Sequence, residues 1–367
     1  MYEKQRYKPF FLFEPAPALT KGHRENAEME EQSFARYGMQ NQFSKSILPV
    51  FDYLIVLRPT LLFPVWTLVL LGHYHGTAPA SHSIKFEFLA AEIPVYLHVD
   101  PRVWVTLCLY SMLAGAVYII NQIADKETDL ENNKLYLVAD GYVKLPVIKL
   151  EAALLFIASI VAAVVWFHRS WTYLALIAVS TVLGVIYSVR PFRLKGIPIL
   201  DLVSNAIGYG GIAFLLGWAA TAKLNTEALQ RTIPYIFCVG AAFVNTTLPD
   251  LKGDLAHGDR TTGVVLGVRR ACQLSLFLLV IAILSAWIVK DAVALISGLV
   301  SVPFFVYMNF VPKRHVIILA TRVGILVLSL VACMLFPPYF ILFAGALLLV
   351  RWYYSARFGM AYPGSKA

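Results

Sequence analysis

Charged side chains are scarce in this chain. Only 14% of its 367 residues are Asp, Glu, Lys or Arg, whereas 59% are hydrophobic. A soluble domain normally carries about a quarter charged residues, so the composition excludes an ordinary soluble protein and indicates many membrane-spanning segments. Cysteine is also scarce, with four residues that lie inside apolar runs and form no CxxC pair. We therefore expect buried apolar cysteines, not disulfides or metal ligands.

The first 47 residues contain no apolar segment behind a basic start, which a signal peptide would require. They are polar and carry charges of both signs, so we expect a soluble cytoplasmic tail over 1–47. A transmembrane domain over 48–354 and a short C-terminal tail over 355–367 complete the predicted organisation. The net charge of +9 indicates basic cytoplasmic loops, and no aromatic-basic pattern favours nucleic acid as a partner.

Long apolar runs occupy the rest of the chain, and a membrane-spanning helix needs about 20 such residues. Runs of about this length lie near 50–73, 102–122, 147–167, 171–189, 199–219, 231–249, 271–289, 292–311 and 316–335, with a shorter one near 337–354. We predict an all-α polytopic membrane protein with nine or ten transmembrane helices; Pro337 and Pro338 decide the last division. The longest break, 74–101, is predicted to lie along the membrane surface.

Basic residues are concentrated in alternate loops. Those after the second, fourth, sixth and eighth predicted helices contain Lys126, Lys134, Lys144, Arg190, Arg193, Lys195, Lys252, Arg260, Arg269, Arg270, Lys313 and Arg314. Because basic loops stay in the cytoplasm, we expect an integral cell membrane protein whose even-numbered helices end on that side. The polar loops after helices two, four and six can therefore meet at one site that faces the cytoplasm.

The loop after the second helix begins with polar residues at helical spacing. Asn121, Asp125 and Asp129 are four residues apart, so their side chains lie along one face of an α-helix. Mg²⁺ binds through one or two carboxylates together with waters and phosphate oxygens. We therefore predict that these three residues hold a metal ion and the diphosphate bound to it, with the two aspartates in catalytic roles.

A second acidic pair follows the sixth helix. Asp250 and Asp254 repeat the spacing of four. A single pair is typical of a solvated loop, but carboxylates at membrane depth are costly and functional. Two pairs at matching ends of two helices favour a second metal-binding and catalytic motif. Lys252 lies inside this motif and is a candidate diphosphate ligand.

Basic and aromatic residues follow the fourth helix in the stretch Tyr187-Ser-Val-Arg190-Pro-Phe-Arg193-Leu-Lys195. Arginine and lysine neutralise diphosphate oxygens, although positive-inside anchoring explains part of this charge. We predict Arg193 and Lys195 as ligands ahead of Arg190. Tyr187 is a candidate for stabilising a cationic centre through its π face.

Two further aromatic residues, Tyr209 and Trp218, lie on the fifth predicted helix and could also stabilise a cation. For both, we expect packing or interface anchoring ahead of this role.

Together these motifs resemble the UbiA superfamily of membrane-embedded prenyltransferases. Arg58-Pro-Thr60 at the first helix, and Asn133-Lys134 followed by Gly141, are also similar to that family. The resemblance covers about residues 50–354.

The first motif departs from the commonest family pattern at Gln122, where many members have Asp. Asn121-Gln122 is more similar to the homogentisate-type branch, which makes tocopherol and plastoquinone precursors. Asp250, Gly253, Asp254 and Gly258 are compatible with that branch. The departure bears on the acceptor and not on the metal chemistry.

The resemblance implies a nine-helix bundle with a site open to the cytoplasm and to lipid. It places the first metal motif on Asn121, Asp125 and Asp129, the second on Asp250 and Asp254, and the basic diphosphate contacts on Arg193 and Lys195. It implies a prenyltransferase that uses two Mg²⁺ ions. The substrates would be an isoprenyl diphosphate and a small aromatic or lipid acceptor. The expected acceptor is a quinone or tocopherol precursor, and no obligatory protein partner is evident.

Other functions remain open at this stage. The acceptor could be a glycerophosphate or another lipid or isoprenoid, and a UbiA-type terpene cyclase would use the same metal site without an acceptor. A polytopic transporter is the alternative from a different class. Against it, the acids cluster at helix ends with a spacing of four, and no inverted repeat is evident.

Overall fold

The protein is built from long apolar helices joined by short loops. The computed structural model describes residues 47–77, 83–88, 91–131, 137–256 and 258–360. Within these ranges, ten helices are long and apolar enough to cross a membrane. They are α1 (Ile47–Gly76), α2 (Pro101–Ala124), α3 (Leu145–Phe167), α4 (Trp171–Ser188), α5 (Leu200–Ala219), α6 (Thr226–Asp250), α7 (Thr262–Ile288), α8 (Ala292–Phe310), α9 (Arg314–Leu335) and α10 (Pro337–Phe358).

These helices agree with the apolar runs of the sequence, and Pro337 begins α10, which settles the count in the described chain at ten. The largest difference is at α7, which begins at Thr262 and not near 271. The exposed pair Arg269 and Arg270 interrupts the apolar pattern, and the segment before it joins the rest of α7 across a kink at Gly267, whose backbone is not helical (φ 69°). Of the predicted tail over residues 1–47, Ile47 begins α1, and the rest lies outside the described residues, as do Asn133, Lys134 and His257.

The break predicted to lie along the membrane surface contains a small antiparallel sheet. Strands β1 (Ser83–Phe88) and β2 (Ala91–Tyr96) pair in a register that sets Ser83 opposite Tyr96. A two-stranded hairpin is only marginally stable alone. Here β2 also packs against α9, which supports it.

Helices α2 and α6 each continue into a short helix at the same end of the bundle. Lys126–Glu131 follows α2, and Leu251–Ala256 follows α6. A π-helical turn at Ala206–Ile212 interrupts α5. Such turns often occur at functional sites, and this one brings Gly208 and Tyr209 to the cavity described below.

Helices α1 and α5 pack with their backbones in contact. A Cβ atom on Gly72 would lie 1.8 Å from the carbonyl oxygen of Phe214, and one on Gly217 would lie 1.8 Å from that of Val69. Small residues allow this close approach between transmembrane helices. The contact fixes α1 against α5, two of the helices that line the cavity.

One side of α3 exposes Leu150, Leu154, Val161 and Val165, each more than half exposed. These residues are spaced by about two helical turns or less, so they form one apolar face. A contiguous apolar surface of this kind marks a membrane or protein contact. With ten apolar helices, it identifies an integral membrane protein whose α3 faces lipid.

Two buried carboxylates away from the cavity, those of Asp291 and Asp52, pair with basic residues. At one end of the bundle, His75 Nε2 lies 3.0 Å from the fully buried Asp291 Oδ2. At the other, Arg357 Nη2 lies 3.0 Å from Asp52 Oδ2, and the Tyr353 hydroxyl donates to Asp52 Oδ1 at 2.5 Å. These contacts join α1 to α8 and α10.

The α1–α5 contact predicts a large effect from a single methyl group. Gly217→Ala should destabilise the protein by about 1–3 kcal/mol because its Cβ meets backbone atoms that cannot yield. Gly345→Ala in α10 is the matched control, since a Cβ there meets no atom within 4 Å. Melting followed by tryptophan fluorescence in detergent should show a lower midpoint for Gly217→Ala alone. Equal midpoints would contradict the packing.

Candidate active site

A cavity of about 540 Å³ lies between α1, α2, α4, α5, α6 and α9. This volume is in the range of small-molecule sites. One end is strongly polar and the rest of the wall is largely apolar. The polar end is lined by Arg58, Asn121, Asp125, Asp129, Lys195, Asp250, Asp254 and Asp259. The cavity can therefore accept a ligand with a charged head and an apolar chain.

The two acidic motifs meet at this polar end. Asp125 caps α2 and Asp129 lies in the short helix that follows, whereas Asp250 ends α6 and Asp254 lies in the next short helix. The short helices after α2 and α6 pack against each other. Motifs far apart in the sequence thus share one cavity, as the sequence analysis predicts from the parity of the helices.

The loop between α4 and α5 supplies positive charge to the same place. Lys195 Nζ contacts Asp125 Oδ1, and Arg193 Nη2 lies 3.4 Å from the same oxygen. Burial lowers the pKa of the Lys195 ammonium, and the nearby Asp125 charge opposes that shift. The loop therefore carries cations to the carboxylates, where a diphosphate would also meet them.

Asp259 also lines the cavity, and the sequence analysis did not single it out. Its carboxylate accepts two hydrogen bonds from Arg193, Nε to Oδ1 at 3.0 Å and Nη2 to Oδ2 at 2.7 Å. This hydrogen bonding raises the pKa of the Arg193 guanidinium. A bidentate pair of this kind fixes the plane of the arginine. Asp259 thus positions Arg193. In the sequence Asp259 stands beside Arg260 in a charged loop, and nothing there indicates that Arg193 is its partner.

Further contacts hold the α4–α5 loop against the start of α7. The Arg260 amide donates to the Gly196 carbonyl at 3.2 Å. The Ile199 amide donates to the Thr262 hydroxyl at 2.8 Å, and the Thr262 amide donates to the buried Asp201 carboxylate at 2.7 Å. The basic loop is therefore held in place by the segment that follows the second acidic motif.

The carboxylates are close enough to influence one another. Burial, followed by the charges of Asp250 and Asp259, raises the pKa of Asp254 to about 6. Among the described residues, no three His, Cys, Asp or Glu side chains are grouped so as to hold a metal ion by themselves. Mg²⁺ takes one or two protein carboxylates and completes its shell with water and phosphate oxygens, so it does not require such a group.

Gln122, the residue that departs from the commonest family pattern, does not face the cavity. It is buried, and its amide nitrogen donates to the carbonyls of Val56 at 2.8 Å and Tyr118 at 3.0 Å. Gln122 thus joins α2 to α1. The departure from Asp leaves the acids of the first motif at the cavity.

Aromatic residues lie at the boundary between the polar and apolar parts. Tyr187 and Tyr209 both line the cavity. Tyr118 stacks on Tyr209, with ring centroids 6.4 Å apart and an interplanar angle of 11°. Trp218 is buried away from the cavity and donates to the Lys223 carbonyl at 3.1 Å, which agrees with packing and not with the cation role.

The structure therefore brings together most of the candidate residues. Those that line the cavity are Asn121, Asp125, Asp129, Tyr187, Lys195, Asp250 and Asp254. Arg193 lies behind them in contact with Asp125 and Asp259. Arg190 is exposed and does not line the cavity. The side chain of Lys252 lies outside the described part of the chain.

Comparison with known proteins agrees with this geometry. Residues 88–313 match the model of the UbiA prenyltransferase family. The chain belongs to the UbiA prenyltransferase family. That match covers both acidic motifs and the basic loop, and the family consists of transferases.

Two relatives of this UbiA-family protein carry the names of enzymes with different acceptors. A digeranylgeranylglyceryl phosphate synthase of Sulfurisphaera tokodaii is 27% identical over 195 residues, which are 52% of this chain and 66% of the relative. A probable homogentisate phytyltransferase 2 of Oryza sativa is 30% identical over 181 residues, 47% of each chain. The chain thus spans just under two thirds of the first relative and about half of the second.

The fold of this UbiA-family protein is also that of a solved structure. A UbiA homologue from Archaeoglobus fulgidus, bound to DMAPP and Mg²⁺, superposes with a TM-score of 0.56 at 16% sequence identity. The superposition covers 76% of this chain and 99% of the homologue.

The Arg193–Asp259 pair predicts a positioning effect. Asp259→Asn should lower kcat/KM for prenyl transfer by about tenfold or more, because Arg193 loses a charge-assisted bidentate partner worth a few kcal/mol. Hydrogen exchange in the segments 190–196 and 258–262 should become faster. Asp140→Asn, at an exposed acid outside the cavity, is the control. Unchanged exchange in Asp259→Asn would contradict the positioning role.

Proposed function

We propose that this UbiA-family protein transfers a prenyl group from an isoprenoid diphosphate to an acceptor and releases diphosphate, in a reaction that depends on Mg²⁺. The proposal is carried by one observation: a single cavity joins both acidic motifs and Lys195 to a largely apolar chamber. An isoprenyl diphosphate has the same two parts, a polyanionic head and a hydrocarbon chain. A transporter would not need this fixed pairing of acids and bases at one end of an otherwise apolar cavity.

The acidic motifs provide the donors that Mg²⁺ prefers. We assign Asn121, Asp125, Asp129, Asp250 and Asp254 to two Mg²⁺ ions, because each motif offers two carboxylates from a separate helix end. When bound, Mg²⁺ supplies positive charge that stabilises the departing diphosphate.

Residues of the α4–α5 loop and its partners complete the binding of the head. Lys195 contacts Asp125, and Arg193 is held by Asp259 with its guanidinium near the same carboxylate. Both cations are fixed before substrate arrives, and preorganised charge of this kind stabilises a transition state most effectively. We assign Arg193 and Lys195 to the diphosphate. Arg190 is exposed and does not line the cavity, so we give it no role, whereas Lys252 stays a candidate diphosphate ligand.

The proposed reaction begins when the allylic C–O bond breaks and the diphosphate keeps the electron pair. The allylic carbon becomes cationic, and the ring of Tyr187 at the cavity wall stabilises it through its π face. The stacked pair of Tyr118 and Tyr209 lines the same region. An electron-rich acceptor carbon forms the new C–C bond and then loses its proton. The apolar wall excludes water, which would otherwise add to the cation and form an alcohol.

We propose an aromatic quinone or tocopherol precursor as the acceptor. The Asn121-Gln122 pair and the homogentisate phytyltransferase relative support this class. A glycerophosphate acceptor is the second candidate, supported by the digeranylgeranylglyceryl phosphate synthase relative. We also propose that the site faces the cytoplasm, because the basic loops lie at its end of the bundle.

Loss of either acidic motif should abolish the reaction. Asp125→Asn and Asp254→Asn keep the size of the side chain but remove the charge, so each should lower turnover by at least about 100-fold. Chelation of Mg²⁺ should have the same effect on the unmodified protein. Release of diphosphate and formation of prenylated product should be measured together. Asp140→Asn should retain activity, and retained activity in both acidic variants would refute the proposal.

The acceptor can be identified by mass spectrometry of the products. Purified protein would receive allylic diphosphates with homogentisate, 4-hydroxybenzoate, dihydroxynaphthoate or a glycerophosphate lipid. A prenylated aromatic product supports the proposed acceptor, and a prenylated glycerophosphate supports the second candidate. A cyclised hydrocarbon formed from geranylgeranyl diphosphate alone would instead identify a terpene cyclase.

A further inference from the structure

The apolar part of the cavity follows one face of α2. From the acidic end outward, its lining residues on that helix include Asn121, Val117, Ala114 and Tyr110, and Tyr110 is the last. Asp125 lies fifteen positions after Tyr110, which corresponds to about 22 Å along a helix axis. The chamber is thus elongated and runs from the diphosphate end into the depth of the membrane.

The lining ends at the same level on three helices. The outermost lining residues are Tyr110 on α2, Ser180 on α4, and Gly208 with Tyr209 on α5. The Tyr110 hydroxyl donates to the Gly208 carbonyl at 3.2 Å and lies 3.1 Å from the Ser180 hydroxyl, which can donate to it. One side chain therefore ties together the three walls where the cavity stops. Its polar atom is satisfied, so the arrangement is stable without water.

Helices α2 and α4 approach closely beside the chamber. A Cβ atom on Gly184 would lie 2.4 Å from Val117 Cγ2, so the two helices touch there. A second packed layer lies behind Tyr110. The Tyr173 hydroxyl donates to the fully buried Thr106 at 2.9 Å, and Tyr173 stacks on Phe167 with centroids 3.8 Å apart.

We propose that Tyr110 is the floor of the chamber and sets the longest prenyl chain that this protein accepts. The inference rests on the proposed function, since it takes the chamber to hold the prenyl chain of the diphosphate substrate. A chain shorter than the chamber gains apolar contact with each added isoprene unit. A chain that reaches Tyr110 must displace a hydrogen-bonded ring in a packed wall, which is unfavourable.

The second layer limits how far removal of Tyr110 can extend the chamber. Thr106 lies four residues, or about 6 Å, farther along α2. We therefore expect Tyr110→Ala to lengthen the accepted chain by about one isoprene unit and no more. Ala114→Leu, one helical turn nearer the acids, should shorten it, because the added side chain raises the floor.

The test measures binding and needs no acceptor. Non-hydrolysable thiolodiphosphates of dimethylallyl, geranyl, farnesyl, geranylgeranyl and a longer polyprenyl chain would be titrated with Mg²⁺ into the full-length protein. The wild type should show a chain length beyond which the Kd rises. Tyr110→Ala should tighten binding of the first excluded length about tenfold or more relative to the last accepted one. Ala114→Leu should weaken the last accepted length by a similar factor.

Two variants serve as controls. Tyr110→Phe keeps the ring and should keep the wild-type limit, and Tyr307→Ala, at an exposed tyrosine of α8, should also keep it. If Tyr110→Ala and Ala114→Leu each keep the wild-type limit on chain length, Tyr110 is not the floor. The same follows if the wild type shows no limit on chain length. Absence of Mg²⁺-dependent binding for every chain length would instead refute the proposed function.

Discussion

The arrangement of this protein depends on the cost of holding several carboxylates at one end of a membrane bundle. Such charges are unfavourable near a low-dielectric interior unless cations accompany them. Lys195 and Arg193 provide that compensation at Asp125, and Asp259 in turn fixes Arg193. The α4–α5 loop is thus held by the site that it helps to form. The acidic motif, the basic loop and the helix ends thus support one another.

Rigid packing of the helices keeps this charged end in register with the apolar chamber. The glycine contact between α1 and α5, the Gln122 contacts between α2 and α1, and the Tyr110 contacts with α4 and α5 all fix walls of one cavity. None of these residues carries charge. Their shared effect is that the distance from acids to floor is set by backbone geometry, not by flexible side chains.

Much of this organisation can be predicted from the sequence because it follows from local patterns. Apolar runs predict nine or ten helices, and the spacing of Asn121, Asp125 and Asp129 predicts one face of a helix. The Arg193–Asp259 pair spans 66 positions and arises only from tertiary packing, so no local pattern reveals it. The same holds for the π-helical turn at Ala206–Ile212 and for Tyr110, whose place as the last lining residue depends on three helices.

The polarity of the cavity also determines where the chemistry takes place. A diphosphate cannot enter the apolar chamber without losing its compensating cations, and the prenyl chain gains most when it is fully buried. The reacting C–O bond therefore comes to lie at the boundary between the two parts, where Tyr187 and Tyr209 line the wall. An acceptor must reach that same boundary. The reacting C–O bond thus separates two properties. The depth of the apolar chamber limits the prenyl chain, and the space at the polar side of the boundary selects the acceptor.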